Sequence, residues 1–181
     1  FEQLIKKVQK KPLRSLSNSA GIILGTKYQY DLSRPGIALY GGHNNNSSLK
    51  KKIKPVIKLK AQILQIKELK KNEYVGYNQT FKTKQKTWIA IIGIGYGDGL
   101  NRILSNNGKV YLNNKKFNII GRVSMDSITI DITKSKKIIK KDMYLEIINY
   151  KHDIEDLAKK CGTISNEILT SISKRVKRIY I

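Results

Sequence analysis

The chain has 181 residues, 40% apolar and 27% charged, which is enough for a core in one large or two small domains. A single cysteine, Cys161, excludes an internal disulfide, and the distant His43 and His152 give no metal-ligand spacing, so no metal is expected and a reduced, cytoplasmic setting fits. The net charge of +23 is spread along a chain also rich in Asn and Ile, which points to AT-rich coding rather than a polyanion-binding patch, and no stretch reaches the roughly 20 apolar residues of a membrane span.

Phe1, Leu4, Ile5 and Val8 recur at helical spacing, so residues 1–11 read as a helix ended by Pro12. The chain enters this pattern directly, without an initiating Met, as the interior of a domain would, and is expected to be a fragment of a longer sequence. Leu13–Leu16 and Leu32–Tyr40 are strand candidates, the second interrupted by Pro35 and Gly36. GGHNNNSSLKKK at 41–52 reads as a linker.

Beyond it the period changes to two. Ile57, Leu59, Ala61 and Ile63 alternate with Lys58, Lys60 and Gln62, and Ile128, Ile130 and Ile132 alternate with Ser127, Thr129 and Asp131. Trp88–Ile94 is apolar enough for a central strand, and Lys109–Leu112, Phe117–Val123 and Met143–Ile148 are further candidates, with turn signals at Asn107-Gly108 and Asn113-Asn114. This spacing suggests a β-barrel or sandwich-like domain. Two helices follow, one on Ile154, Leu157, Ala158 and Cys161 with Asp153 as N-cap, and one on Ile164, Ile168 and Ile172 opened by Thr163. Arg175–Ile181 reads as a last strand.

Taken singly, the chemistry-bearing segments have bland readings. GYGDG is a tight turn after a strand, VGYNQTF a strand with Tyr77 on one face, and SRPGIALYG a strand entering a turn. Their order is more specific. SNSAG at 17–21, SRPGIALYG at 33–41, VGYNQTF at 75–81, IGYGDG at 94–99, GRVSMD at 121–126 and GTISNEILTSISKRV at 162–176 together resemble the C-terminal part of alanine racemases across essentially the whole chain.

That resemblance implies a mixed fold, in which the last βα elements of a (β/α)8 barrel, residues 1–48, precede a mainly-β C-terminal domain, residues 49–181. It implies a homodimeric, pyridoxal-5′-phosphate-dependent isomerase that interconverts L- and D-alanine and supplies D-alanine for peptidoglycan. Removing the α-proton on one face and returning it on the other needs two bases. In the family one is the lysine that holds the cofactor, and the other is a tyrosine from the partner subunit, here Tyr77. A free phenol has a pKa near 10, so such a tyrosine needs a field or a hydrogen-bond network that lowers the cost of losing its proton.

By the same resemblance Arg34 faces the pyridine nitrogen and, staying protonated, keeps the ring neutral. Ser19, Gly36 and Ile37 offer a hydroxyl and backbone N–H groups to the phosphate, at the late-strand position where such barrels bind phosphate. Met125 offers its backbone N–H to the substrate carboxylate, Tyr96 narrows the entrance, and Asp126 orders the Met125 loop. The family tyrosine before the last Arg-Val is replaced here by Lys174, which could still approach a phosphate but leaves that one contact open.

No segment resembles the motif that carries the family's cofactor lysine, and the arginine contacting the substrate carboxylate from the N-terminal half is also unmatched. The chain alone is therefore expected neither to hold the cofactor covalently nor to racemise alanine. Three readings stay open: a portion of an intact racemase, one chain of a split enzyme completed by a separate N-terminal chain, or a non-catalytic remnant. A basic nucleic-acid-binding β domain is the alternative from another class. Alanine and serine are both small enough to be the substrate.

Overall fold

Helical spacing alone does not sustain a long helix at the start of the chain. In the computed structural model, which describes residues 1–43 and 46–181, the expected helix over 1–11 is reduced to α1 (Glu2–Ile5). Leu4 and Val8 remain exposed, and so short a helix with an unburied apolar stripe gains little from its own hydrogen bonds.

The two early strand candidates also fall short of strands. Residues 14–17 and 31–34 run side by side, with Arg34 N–H donating to the Ser17 carbonyl at 2.8 Å, and form a single parallel bridge, Asn18 to Arg34. Beyond the bridge, Pro35 has no N–H to continue a ladder, and Ile37–Tyr40 coils into a 3-10 turn. SNSAG opens α2 (Ser19–Ile23), capped by the Asn18 side chain, which accepts from Gly21 N–H at 3.0 Å. Residues 44 and 45 of the expected linker lie outside the described residues. Its remainder includes α3 (Ser47–Lys52).

The chain divides into two compact units, Phe1–Val56 and Ile57–Ile181. In the second, β1 (Leu59–Leu69), β2 (Tyr74–Val75), β3 (Phe81–Lys82), β4 (Thr87–Ile92), β5 (Lys109–Leu112), β6 (Lys115–Ile120), β7 (Ile128–Asp131) and β8 (Tyr144–Ile148) are all antiparallel to their neighbours. Six of them close a barrel in the order β1-β4-β7-β6-β5-β8. Closure leaves these strands no free edge. The period-two residues fill the interior: Leu59, Ala61 and Ile63 from β1, Ala90 and Ile92 from β4, Ile128 and Ile130 from β7. Asn113-Asn114 forms the two-residue link between the paired Leu112 and Lys115, with Asn113 left-handed at φ 54°.

α4 (Ile154–Cys161) starts as expected at Asp153, whose carboxylate accepts from the N–H groups of Glu155 and Asp156. α5 (Ser165–Ser171) begins after Ile164 rather than at Thr163, because the Thr163 hydroxyl is bonded to Glu167 instead of capping the backbone. The expected last strand over Arg175–Ile181 does not form. Arg178 donates to the carbonyls of Ile172, Ser173 and Val176 at 2.9 Å each, folding the segment back on itself. No helix among the described residues is long and apolar enough to cross a membrane.

Candidate active site

The hairpin of β2 and β3 lies outside the barrel wall and carries Tyr77. Its Val75 packs with Ile89 of β4 and Ile120 of β6 in a small cluster separate from the main core, backed by Leu69 and Phe81. The connection is tight. Gly121, left-handed at φ 76°, approaches the Val75 carbonyl so closely that a β-carbon would sit 2.7 Å from it. A side chain here would push the hairpin off the end of β6.

VGYNQTF is not an extended strand. Tyr77–Gln79 is a 3-10 turn in which Asn78 (φ 57°) and Gln79 (φ 52°) are both left-handed. Left-handed backbone costs a non-glycine residue roughly 1–2 kcal/mol, so the turn persists only because its surroundings hold it. The outcome is a Tyr77 side chain held out from the barrel, with the residue 70% exposed. An ordinary strand tyrosine would have packed its ring.

Tyr96 and Met125 lie on two loops bonded to each other. Tyr96 N–H donates to the Ser124 carbonyl and Gly97 N–H to the Met125 carbonyl, both at 2.9 Å. Gly95 makes this possible, since a β-carbon there would lie 2.3 Å from both the Ser124 and Met125 carbonyl oxygens. Both residues are about half exposed, and Arg102 sits over the Tyr96 ring, its Cζ 5.9 Å from the centroid.

Arg175 joins the same two loops. Its guanidinium contacts Asp98 at 3.3 Å and Asp126 at 2.5 Å, while Asp98 also accepts from Gly95 N–H at 2.9 Å. The hydrogen bond to Asp126, then the charge of Asp98, raise the Arg175 pKa above its ordinary value, so the clamp stays charged. Asp126 thus has a loop-ordering partner. The sequence points to Asp126 and to the motifs that hold Asp98 and Arg175, but not to their pairing. The carboxylates in two motifs and the cation in a third were the available signal. Lys174 lies exposed in the turn after α5.

In the first unit Ser19 is buried, and its hydroxyl accepts from Gly36 N–H at 2.8 Å and Ala38 N–H at 3.3 Å. The start of the Ile37–Tyr40 turn and the Ser19 hydroxyl therefore converge, with the hydroxyl keeping its own proton to donate. Arg34 is held by the Ser15 hydroxyl and, at 3.4 Å, by the Leu16 carbonyl. Ser15 is a second residue the sequence did not flag. Ser19, Arg34, Gly36 and Ile37 are thus brought together in one unit, and Tyr77, Tyr96 and Met125 are carried by tied loops of the other. No group of three or more His, Cys, Asp or Glu able to hold a metal occurs among the described residues.

Comparison with known proteins extends these observations. The family model described as alanine racemase, C-terminal domain, matches residues 56–180, and that for alanine racemase, N-terminal domain, matches residues 1–44. An alanine racemase of Brucella ovis is 40% identical over 192 residues, 98% of this chain and 48% of that protein. One of Rickettsia akari is 43% identical over 171 residues, 92% of this chain and 45% of that protein. The crystal structure of alanine racemase from Bartonella henselae with covalently bound pyridoxal phosphate superposes with a TM-score of 0.89 at 41% identity, over 100% of this chain and 50% of that one. The alanine racemase of Bacillus anthracis with bound L-Ala-P does so with a TM-score of 0.87 at 32% identity, over 99% of this chain and 48% of that one. The chain spans about half the length of the curated relatives it matches.

Proposed function

The chain belongs to the alanine racemase family, and from that membership we propose that residues 1–181 act in a pyridoxal-phosphate-dependent racemase that interconverts L- and D-alanine, with Tyr77 as one of its two bases. The observation that carries the reading is the exposed Tyr77 on a strained turn fixed to the barrel, an arrangement that packing alone does not explain.

The groups around Ser19 fit a phosphate: the buried hydroxyl keeps its own proton to donate, and the Gly36 and Ala38 N–H groups that now donate to its oxygen would turn to a phosphate oxygen instead. Ser19, Gly36 and Ile37 would hold that group, and Arg34, fixed by Ser15 and Leu16, would face the ring nitrogen. When bound, the cofactor supplies an electron-poor ring over which the charge left by the departing α-proton spreads.

Everything else is the work of side chains and backbone. Tyr77 Oη takes the α-proton on one face of alanine and returns it in the reverse direction. The Met125 N–H holds the substrate carboxylate, and Tyr96 narrows the entrance to small side chains. The Arg175 clamp keeps the Tyr96 and Met125 loops in register. In a homodimer Tyr77, Tyr96 and Met125 serve the partner's site, while Ser19 and Arg34 serve a site of their own subunit. The second base, the lysine that binds the cofactor, is supplied from outside residues 1–181. The (β/α)8-barrel assignment of residues 1–48, the β-domain assignment of 49–181, the cytoplasmic setting and the supply of D-alanine for peptidoglycan belong to the same proposal.

The test joins residues 1–181 to the N-terminal half of the Brucella ovis relative. The joined protein is expected to bind pyridoxal phosphate, seen by its visible absorbance, and to racemise alanine. Tyr77→Phe is expected to cost about 100-fold or more in kcat. A joined protein that holds the cofactor but does not racemise, or a Tyr77→Phe variant with undiminished kcat, contradicts the proposal.

A further inference from the structure

Asn106 stands between the turn that carries Tyr77 and the end of β6. Its Oδ1 accepts from Gly121 N–H at 2.6 Å, and its own N–H donates to the Gly121 carbonyl at 3.1 Å. Its Nδ2 donates to the Thr80 hydroxyl at 3.2 Å and the Thr80 carbonyl at 3.4 Å. The Gly121 N–H requires an acceptor, which fixes which way the amide points. Thr80 directly follows the left-handed pair Asn78 and Gln79, and Gly121 is the residue against which Val75 is pressed. One side chain thus grips the residue after the strained turn and the backbone against which the residue before it rests. Asn106 is itself left-handed at φ 57°, a conformation asparagine tolerates better than most residues. The sequence marks this place only as a turn at Asn107-Gly108.

We propose that Asn106 is the positioning residue for Tyr77, holding the Tyr77–Thr80 turn in its strained form by tying Thr80 to Gly121. The inference rests on the reading of Tyr77 as a base for its catalytic consequence, and on geometry alone for the ordering of the turn. A strained turn with one side released relaxes, and misplacing a reacting group by about 1 Å can cost on the order of 100-fold in rate.

Asn106→Gly is the informative variant, because glycine keeps the left-handed backbone and removes only the side-chain bonds. In the full chain, backbone amide exchange over residues 76–81 is expected to speed up at least tenfold, while the barrel amides of β4 and β7 keep their protection. In the chain joined to a cofactor-bearing N-terminal half, Asn106→Gly is expected to lower kcat about tenfold or more with KM for alanine within twofold. In the Tyr77→Phe background it is expected to cost nothing further, since two residues that act as one unit are not additive. Unchanged exchange over 76–81 overturns the positioning role. An equal fold-loss in the Tyr77→Phe background also overturns it, by showing that Asn106 acts without Tyr77. If Tyr77→Phe is itself fully active, the catalytic reading of Tyr77 falls, and the amide exchange alone then decides whether Asn106 holds the turn.

Discussion

Tyr77 shows what a residue's neighbours can impose. Its motif was legible in the sequence, but its geometry was not. Two left-handed residues follow it, and neither Asn78 nor Gln79 is a glycine that would have announced the turn. A second residue-scale effect is the pairing of Arg14 and Asp31 in the first unit. Arg14 Nε lies 2.8 Å from the Asp31 carboxylate, and its hydrogen bonds hold the Asp31 pKa down to about 2. A lowered folded-state pKa means stability that is fully present above the unfolded value near 3.9 and lost as pH falls through about 2. Both side chains are partly exposed, so the effect is screened and small. The stability difference between the chain and Asp31→Asn is expected to be constant above pH 5 and to shrink between pH 4 and pH 2. A difference that does not change across that window removes the pairing's role.

At the scale of elements, the hairpin of β2 and β3 depends on one threonine at its base. Thr83 is buried, its hydroxyl donates to the Lys70 carbonyl at 2.6 Å, and it accepts from Glu73 N–H at 2.9 Å. Thr83→Val keeps the shape and orphans both backbone groups, a cost of about 1–3 kcal/mol in chemical denaturation. A loss of only a few tenths would show that water satisfies them instead. Elements were legible where their period was long enough to count. β1, β4 and β7 follow their alternation or apolar run, and α4 follows its stripe and its cap at Asp153. The two-residue strands β2 and β3 offer no period at all. Leu13–Leu16 and Leu32–Tyr40 have strand-like composition, but the bridge here joins Arg34 to Asn18, beyond the first segment, so composition outran pairing. Arg175–Ile181 looked like a strand until Arg178 claimed the nearby carbonyls.

At the scale of the whole molecule, the sequence suggested a barrel or sandwich and the structure decides for a closed six-stranded barrel. Strand order depends on which distant segments pair, such as β1 with β8, and no local pattern encodes that. Lys136 lies over the Trp88 ring and Lys58 over Tyr150, so part of the positive charge sits on aromatic faces of the chain itself. Family membership, carried by six motifs in order, was the most legible property of all, because it needed no geometry. The loop-to-loop ties that place Tyr77, Tyr96 and Met125 were the least legible, since Gly95 and Gly121 act by close backbone approach and Asn106 and Arg175 by side-chain bonds, all between segments far apart in sequence.

Tyr77 is proposed to move the α-proton on one face of alanine. The most direct test is deuterium wash-in from solvent at the α-carbon, measured separately for L- and D-alanine in the joined protein with and without Tyr77→Phe. Exchange is expected from both enantiomers with Tyr77 present and from only one in Tyr77→Phe, with interconversion lost. Exchange that continues from both enantiomers in the variant would contradict it.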